Sequence, residues 1–255
     1  MLKKMSEIED YNIHALDGDM GKLHDIYFDD SEWSIRYFII NTGNWLIDRL
    51  VLISPASVTE INHEKREINF GLSKKEIENS PIISKDKPVS LQAELELTKH
   101  YGWPVYWSGI GIGSTTGVSA LPYLYADKDF APGERAKDHD NYDPHLRSYR
   151  EVKRYDIQTA EGNIGHVVDF IIDTNEWKIY YMIVNTRNWL PGGKDVLIHS
   201  MWIKKISYPE QSVEVMLGKE EINNCPVYDP ESFVSRDYEE KLFEHYEREK
   251  YWEMK

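Results

Sequence analysis

The sequence predicts a mainly β fold with some α-helix, built as two tandem small β-barrels that are each followed by a helix. Three observations support this prediction. A segment that begins at Tyr11 recurs at Tyr155, short apolar runs alternate with turn residues in both copies, and a helical apolar pattern closes each copy.

The internal repeat decides the domain plan. Residues 11–46 align without a gap on residues 155–190, and after one inserted residue the alignment continues to Tyr106 and Trp107 on Tyr251 and Trp252. Each copy has about 97 residues, a usual size for a domain. The repeat therefore predicts one domain at 1–107 and a second at 151–255, each with its trailing helix.

The segment between the copies, residues 108–150, has no counterpart in either copy and contains several Gly and Pro residues. A stretch of this length without regular structure is uncommon inside a compact domain. We therefore expect it to be a linker between the two domains.

The early part of each copy reads as β-strand. In the first copy, Gly18 and Gly21 mark a turn, and the runs that follow are too short for amphipathic helices. The predicted strands are residues 22–28, 35–41, 50–54 and 68–72. Short strands with regular turns are typical of a small sandwich or barrel, in which closure of the sheet removes exposed edges.

The end of each copy reads as α-helix. Ser90 precedes Ala93, Leu97 and Tyr101, and Ser235 precedes a matching apolar series in the second copy. Serine is a favourable residue just before a helix, and the spacing places the apolar side chains on one face. Each helix is expected to dock on its own barrel or on a partner.

Composition limits the function classes. The chain of 255 residues carries a formal charge of −14, and its Lys and Arg residues occur singly or in short pairs, so no basic patch is predicted and nucleic acid is not favoured as a partner. The single cysteine, Cys225, forms no intramolecular disulfide, and no apolar run has signal-peptide or membrane-span length. A cytoplasmic protein is expected.

Several acidic residues that could take part in chemistry recur in both copies. The acids Asp25, Asp29 and Glu32 recur at Asp169, Asp173 and Glu176. Turn residues that cap backbone amides are the favoured interpretation, and a weak metal or proton-relay role and catalysis are the alternatives.

The histidines and the glycine-rich run do not form a known reactive motif. His100 and His245 fall at predicted helix ends, where a histidine suits the helix dipole, and no histidine pair has metal-ligand spacing. The Gly-rich run at 109–114 lacks the residues of a phosphate-binding loop. We predict no catalytic residue, no metal and no cofactor, so the protein is expected not to be an enzyme.

Tryptophan and neighbouring polar residues lie at a turn shared by both copies, and further tryptophans follow the predicted helices. Aromatic side chains in such places often anchor interfaces, although they also fix a helix to its own domain. The candidate interface residues are Asn41, Thr42, Asn44, Trp45, Asn185, Thr186, Asn188, Trp189, Trp103, Trp107 and Trp252.

The combined pattern resembles the PRC-barrel family, and specifically tandem members similar to the cytoplasmic domain of the photosynthetic reaction centre H subunit. The pattern is G-x-x-G-x-x-x-D, an acidic turn ending in Trp, N-T-x-N-W-L and a V-L-I strand, at residues 11 to about 81 and 155 to about 226. The resemblance implies a barrel that serves protein contact rather than catalysis.

The expected function is a non-enzymatic protein-interaction scaffold whose two modules self-associate into a homo-oligomer and bind a protein partner. Two alternatives remain open from the sequence. One is an accessory factor of a photosynthetic or other membrane complex, which would associate with it peripherally because no transmembrane segment is present. The other is a factor associated with the ribosome or with RNA processing, which the acidic charge disfavours.

Overall fold

A computed structural model describes residues 1–9, 11–46, 49–81, 91–103, 145–186 and 193–254. These residues are mainly β-strand with short helices, as the sequence predicts. Trp107, Asn188 and Trp189 of the predicted interface, and most of the predicted linker at 108–150, lie outside the described residues.

The elements follow one another in the same order in both copies. The strands are β1 (Leu2–Lys4), β2 (Asn12–Ala15), β3 (Gly18–Asp29), β4 (Ser34–Asn41), β5 (Leu50–Ile53), β6 (Val58–Asn62), β7 (Glu67–Phe70), β8 (Leu146–Ser148), β9 (Asp156–Thr159), β10 (Gly162–Asp173), β11 (Lys178–Asn185), β12 (Asp195–His199), β13 (Ile203–Ser207) and β14 (Ser212–Val215). The α-helices are α1 (Met5–Glu9), α2 (Lys74–Glu78), α3 (Leu91–Tyr101), α4 (Tyr149–Val152), α5 (Lys219–Asn224) and α6 (Arg236–His245).

The chain groups into two compact units whose composition differs from that of the two sequence copies. The N-unit comprises Asn12–His24 and Tyr37–Leu146, and the C-unit comprises Met1–Tyr11, Asp25–Arg36 and Arg147–Lys255. The domain bounds at 107 and 151 describe the sequence repeat and stay a prediction.

Strand pairing in the N-unit follows the alternation of its apolar residues. β2 pairs antiparallel with β3 and parallel with β7, so that Ile13 faces both Gly21 and Ile68. β6 pairs with β7, and β4 pairs with β5. Ile13, Ile68 and Phe70 are at most 1% exposed, so the inward side chains of these strands form a core.

The C-unit repeats these pairings. β9 lies between β10 and β14, β13 pairs with β14, and β11 lies between β10 and β12. Among the described residues, these ladders form an open path from β13 to β12.

The strands β1 and β8, which lead into the two copies, each pair with a long strand of the other copy. β1, from the first copy, pairs with β10 of the second, with Leu2 opposite Asp173 and Lys4 opposite Ile171. β8, from the second copy, pairs with β3 of the first. Met5 and Tyr149 occupy equivalent positions just after these strands, and both are fully buried. The duplication therefore extends upstream of Tyr11 and Tyr155, where Leu2 and Glu7 match Leu146 and Glu151 in the same register.

Candidate functional site

The loop after β4, residues 41–46, contains four of the predicted interface residues. Thr42 is 3% exposed, and its hydroxyl donates to the carbonyl of Arg49 at 2.9 Å. The side-chain oxygen of Asn41 accepts from the amide of Gly43 at 2.9 Å. Asn41 and Thr42 thus fix the backbone of the loop rather than project from it.

A glycine on the neighbouring strand explains why this loop lies so close to the sheet. A Cβ atom at Gly21 would lie 2.1 Å from the carbonyl oxygen of Asn41, and one at Gly165 would lie 2.0 Å from that of Asn185. Both glycines have φ in the left-handed region, +124° and +143°. The second glycine of the shared G-x-x-G pattern therefore allows the loop that contains the shared Asn-Thr pair to lie against the strand.

A basic side chain at the end of each loop holds the following short helix. The Arg49 guanidinium donates to the carbonyls of Glu78 and Ser80 at 2.9 and 2.5 Å. Lys194, at the equivalent position, donates to the carbonyls of Asn223 and Cys225 at 2.7 and 2.6 Å. A cation at a helix C-terminus satisfies carbonyls that have no partner within the helix. The loop bases are rigid for this reason.

The tip of the first loop is more accessible than its base. Asn44 is exposed and Trp45 is half-buried, at the end of a single 3-10 turn, Gly43–Trp45. The Lys74 ammonium lies 5.1 Å from the centre of the Trp45 ring, a cation–π distance. Asn44 and part of Trp45 are thus accessible to a partner.

The second loop repeats the base of the first. Thr186 is fully buried and its hydroxyl donates to the carbonyl of Lys194 at 2.9 Å. The Asn185 amide donates to the Asp195 carboxylate at 2.5 Å. The predicted interface residues at the tip, Asn188 and Trp189, lie outside the described residues.

Trp103 packs inside the N-unit. It is 9% exposed, its indole N–H donates to the Ser57 hydroxyl at 2.6 Å, and its ring stacks on Tyr101 at 4.3 Å between centroids. These contacts join the end of α3 to the turn before β6. Of the two interpretations left open for the aromatic residues after the helices, the structure places Trp103 within its own unit.

Trp252 is half-buried in the C-unit, beside α6. Its ring lies 5.2 Å from Phe243, and the Arg236 guanidinium lies 4.1 Å above its ring centre. Tyr251, next to it, donates to the Glu239 carboxylate at 2.9 Å. The residues after α6 are therefore held to that helix by aromatic packing and a charged hydrogen bond, while one side of Trp252 stays accessible.

A buried tyrosine–glutamate pair occurs in each unit and was missed by the sequence reasoning. Tyr37 donates to Glu94 at 2.8 Å, and Tyr181 donates to Glu239 at 2.7 Å, with both carboxylates at most 2% exposed. Each pair ties the trailing helix to the sheet. The available signal was that both members recur in the repeat, with the acid on the apolar face of a helix.

The repeated acids bond to backbone amides and hydroxyls. Asp25 accepts from the Ser148 hydroxyl at 2.5 Å, and Asp169 accepts from the Ser6 hydroxyl and from Tyr149 at 2.9 Å. Burial raises the pKa of Asp25 above its usual value, although the Ser148 hydrogen bond acts against this. These two carboxylates fasten the leading segments, α1 and α4, onto the long strands.

Asp29 and Asp173 cap the β-turns that follow those strands. Asp29 accepts from the amides of Ser31 and Glu32 at 2.8 and 2.9 Å. Asp173 accepts from the Asn175 amide at 2.7 Å. Burial acts to raise the pKa of Asp29, but these hydrogen bonds outweigh it and the pKa lies below its usual value.

His199 is the most unusual titratable residue of the C-unit. It is 2% exposed and has aromatic rings of Tyr181, Phe243 and Tyr251 within 5.2 Å of its own. Its Nδ1 accepts from the Met201 amide at 3.1 Å, and its Nε2 has no partner in the described part of the chain. Burial, with a smaller contribution from the charge of Lys178, lowers its pKa to about 3.

Comparison with known proteins identifies one domain. Residues 144–222 match the model of the PRC-barrel domain, which covers the second copy from β8 into α5. None of the curated proteins compared with the chain matches it. Within the described residues, no helix has the length and apolar character to cross a membrane, and no group of His, Cys, Asp or Glu side chains is placed to hold a metal ion.

Proposed function

We propose that the chain is a non-enzymatic scaffold that binds protein partners through two PRC-barrel modules, one for each sequence copy, and that it associates with itself. The domain match at residues 144–222 supports an interaction module, and the repeat supports a second module of the same kind in the first copy. The expected cytoplasmic location belongs to the same proposal, since a single cysteine gives the fold no disulfide.

The observation that carries the proposal is the contrast between the base and the tip of the first loop. Thr42 and Arg49 hold the base through hydrogen bonds, whereas at the tip Asn44 is exposed and Trp45 is half-buried. A tryptophan on a rigid base loses little conformational entropy when a partner covers it, and tryptophan is enriched among residues that dominate binding energy.

Exposed apolar side chains on the C-unit give further support. Phe233 is 81% exposed and Val227 is 61% exposed, and both lie in the connection between α5 and α6. Single exposed apolar residues are common on protein surfaces, but an almost fully exposed phenylalanine is a costly residue to leave in water. This connection is a second surface that a partner or another copy of the chain would cover.

The experiment that tests the proposal is affinity capture from an extract of the source cells, with quantification of every captured protein. The baits are the natural chain, Asn44→Ala/Trp45→Ala, and Tyr208→Ala, which removes an aromatic side chain that is 61% exposed elsewhere. A partner retained by the natural chain and Tyr208→Ala, but lost from the loop variant, is the expected result. Equal capture by all three baits would exclude the loop as the binding site.

A further inference from the structure

An open groove of about 450 Å³ lies in the C-unit beside α4 and the middle of β10. Glu9, Arg150, Lys153, Arg154 and His166 line it, together with the two valines that follow His166. Val167 is buried and Val168 is half-buried, so the groove has an apolar floor below a charged rim.

The charge of this groove is opposite to that of the whole chain. The chain carries −14, yet three cationic side chains and an imidazole face a single carboxylate here. Arg150, Lys153 and Arg154 lie within one five-residue run, so the prediction of no basic patch was wrong at this point of the sequence itself. β10 then adds His166 beside the turn that follows α4.

Glu9 already shows which chemical group this groove accepts. Its carboxylate oxygens lie 3.2 Å from Nε of Arg150 and 3.8 Å from Nζ of Lys153. Arg154 is exposed and forms no ion pair with any residue that the structure describes. The groove therefore holds one carboxylate and retains cationic capacity for another.

The first copy lacks the three cations of this run. The positions equivalent to Arg150, Lys153 and Arg154 are occupied by Ser6, Glu9 and Asp10, although Lys22 stands at the position of His166. The basic rim is thus an addition to the second copy and is not required by the shared fold.

We propose that this groove binds a carboxylate-rich segment of a protein partner, an inference that rests on the proposed scaffold function. The cations of Arg150, Lys153 and Arg154 meet the carboxylates, and Val168 meets the aliphatic parts of the segment. A nucleic acid fits less well, because a long polyanion meets the repulsion of the whole acidic chain, whereas a short acidic segment contacts the groove alone.

In this proposal Glu9 competes with the partner for the cations of the groove. One variant is therefore expected to strengthen peptide binding and another to weaken it. A fluorescein-labelled hexaglutamate peptide is titrated with the full chain at low salt, and binding is followed by fluorescence anisotropy. Glu9→Gln is expected to tighten binding about threefold, since the competing carboxylate is removed. The triple variant Arg150→Ser/Lys153→Glu/Arg154→Asp, which installs the residues of the first copy, is expected to weaken it more than about tenfold.

The matched control is Lys205→Gln, which removes one exposed cation from another strand of the same unit and should bind as the natural chain does. Circular dichroism establishes that each variant is folded, and a folding defect cannot produce the gain expected for Glu9→Gln. Equal binding of hexaglutamate and hexaglutamine, absence of binding, or unchanged binding by the triple variant would overturn the proposal. Tighter groove-dependent binding of a single-stranded RNA or of inorganic phosphate would overturn it in favour of phosphate recognition.

The two proposals fail independently. Capture of a partner through Asn44 and Trp45 without peptide binding to the groove removes only the groove proposal. Peptide binding to the groove without loop-dependent capture removes only the assignment of the loop as the binding site.

Discussion

The two copies use one backbone frame but fill it differently. In the N-unit, Trp103 follows helix α3, stacks on Tyr101 and donates to Ser57. In the C-unit, the position of Ser57 is occupied by Trp202, which packs 4.8 Å from Tyr246, and the position of Trp103 is occupied by Arg248. Both units contain a tryptophan–tyrosine contact at the trailing helix. In the N-unit the tryptophan follows the helix, and in the C-unit it comes from the turn before β13.

The difference shows that the two copies keep the same backbone through shared turns and shared polar contacts of their helices, and not through identical core side chains. His100 and His245 each bond to a carbonyl of the preceding short helix, that of Glu76 at 2.8 Å and that of Glu221 at 2.7 Å. Such repeated polar contacts fix the backbone, and the volume between them is filled by whichever aromatic residues fit.

The largest expected effect on stability comes from replacing Trp202, which is 4% exposed and is the residue that distinguishes the C-unit from the N-unit at this contact. Trp202→Ser should lower the free energy of unfolding by about 3–5 kcal/mol, because a buried indole is lost and a cavity remains. The measurement is urea unfolding followed by circular dichroism. Trp202→Ser/Arg248→Trp recreates the arrangement of the N-unit and should recover part of the loss; a double variant no more stable than Trp202→Ser would contradict the equivalence.

The next effect concerns a feature that the copies share. Gly165→Ala and Gly21→Ala should each cost about 3 kcal/mol, because the new Cβ would meet a loop carbonyl at 2.0 or 2.1 Å and the backbone φ is unfavourable for alanine. Thermal unfolding of both variants checks this. Gly43→Ala is the milder comparison and should cost about 1 kcal/mol, since a Cβ there meets nothing within 4 Å and its φ of +54° is one that alanine can adopt. A cost for Gly43→Ala equal to that of Gly165→Ala would argue against the close approach as the cause.

A third effect separates the copies by pH. Ser54 caps its turn by accepting from Ala56, and the equivalent His199 accepts from Met201. His199 has a pKa of about 3 in the folded state against about 6.5 when unfolded, so the unfolded chain binds the extra proton between these values. This contribution to stability is complete above pH 6.5 and decreases as the pH falls, by about 2 kcal/mol at pH 5.

The measurement for His199 is the free energy of unfolding at pH 7 and pH 5, for the natural chain and for His199→Ser, which installs the residue of the first copy. His199→Ser should reduce the pH dependence by about 2 kcal/mol, whatever its effect at pH 7. An unchanged pH dependence would mean that the histidine is not held neutral in the fold.

The smallest effect concerns the buried tyrosine–glutamate pair. Tyr181→Phe should cost about 1 kcal/mol, because Glu239 keeps its hydrogen bond from Tyr251 and its ion pair with Arg236 at 3.1 Å. Tyr181→Phe/Tyr251→Phe should cost more than the sum of the single changes, since the carboxylate then loses both hydroxyl donors. Additive costs in denaturant unfolding would argue against a coupled network.

The sequence predicted what its repeat and its alternating patterns encode. The strands at 35–41 and 50–54 correspond to β4 and β5, and Ser235 caps α6 by accepting from the amide of Tyr238. The leading segments were not recognised as part of the repeat because Leu2 with Leu146 and Glu7 with Glu151 are a weak match over so short a stretch. For the basic groove, the run of Arg150, Lys153 and Arg154 is visible in the sequence, whereas the approach of Glu9 and His166 to that run depends on the fold and has no pattern in the chain.

For the proposed interface, the sequence predicted the loop but not which of its residues form the base and which form the tip. Asn41 and Thr42 recur as visibly as Trp45, since recurrence alone does not separate residues of a structural turn from exposed residues. Only the hydrogen bonds to Gly43 and Arg49 show which residues form the base.

The most direct test of the scaffold proposal is calorimetric titration of one captured partner, purified, against the natural chain and against folded Asn44→Ala/Trp45→Ala. The account predicts binding by the natural chain and an affinity at least about tenfold weaker for the loop variant, the loss expected when a central tryptophan is truncated. Equal affinities for the two proteins would contradict it.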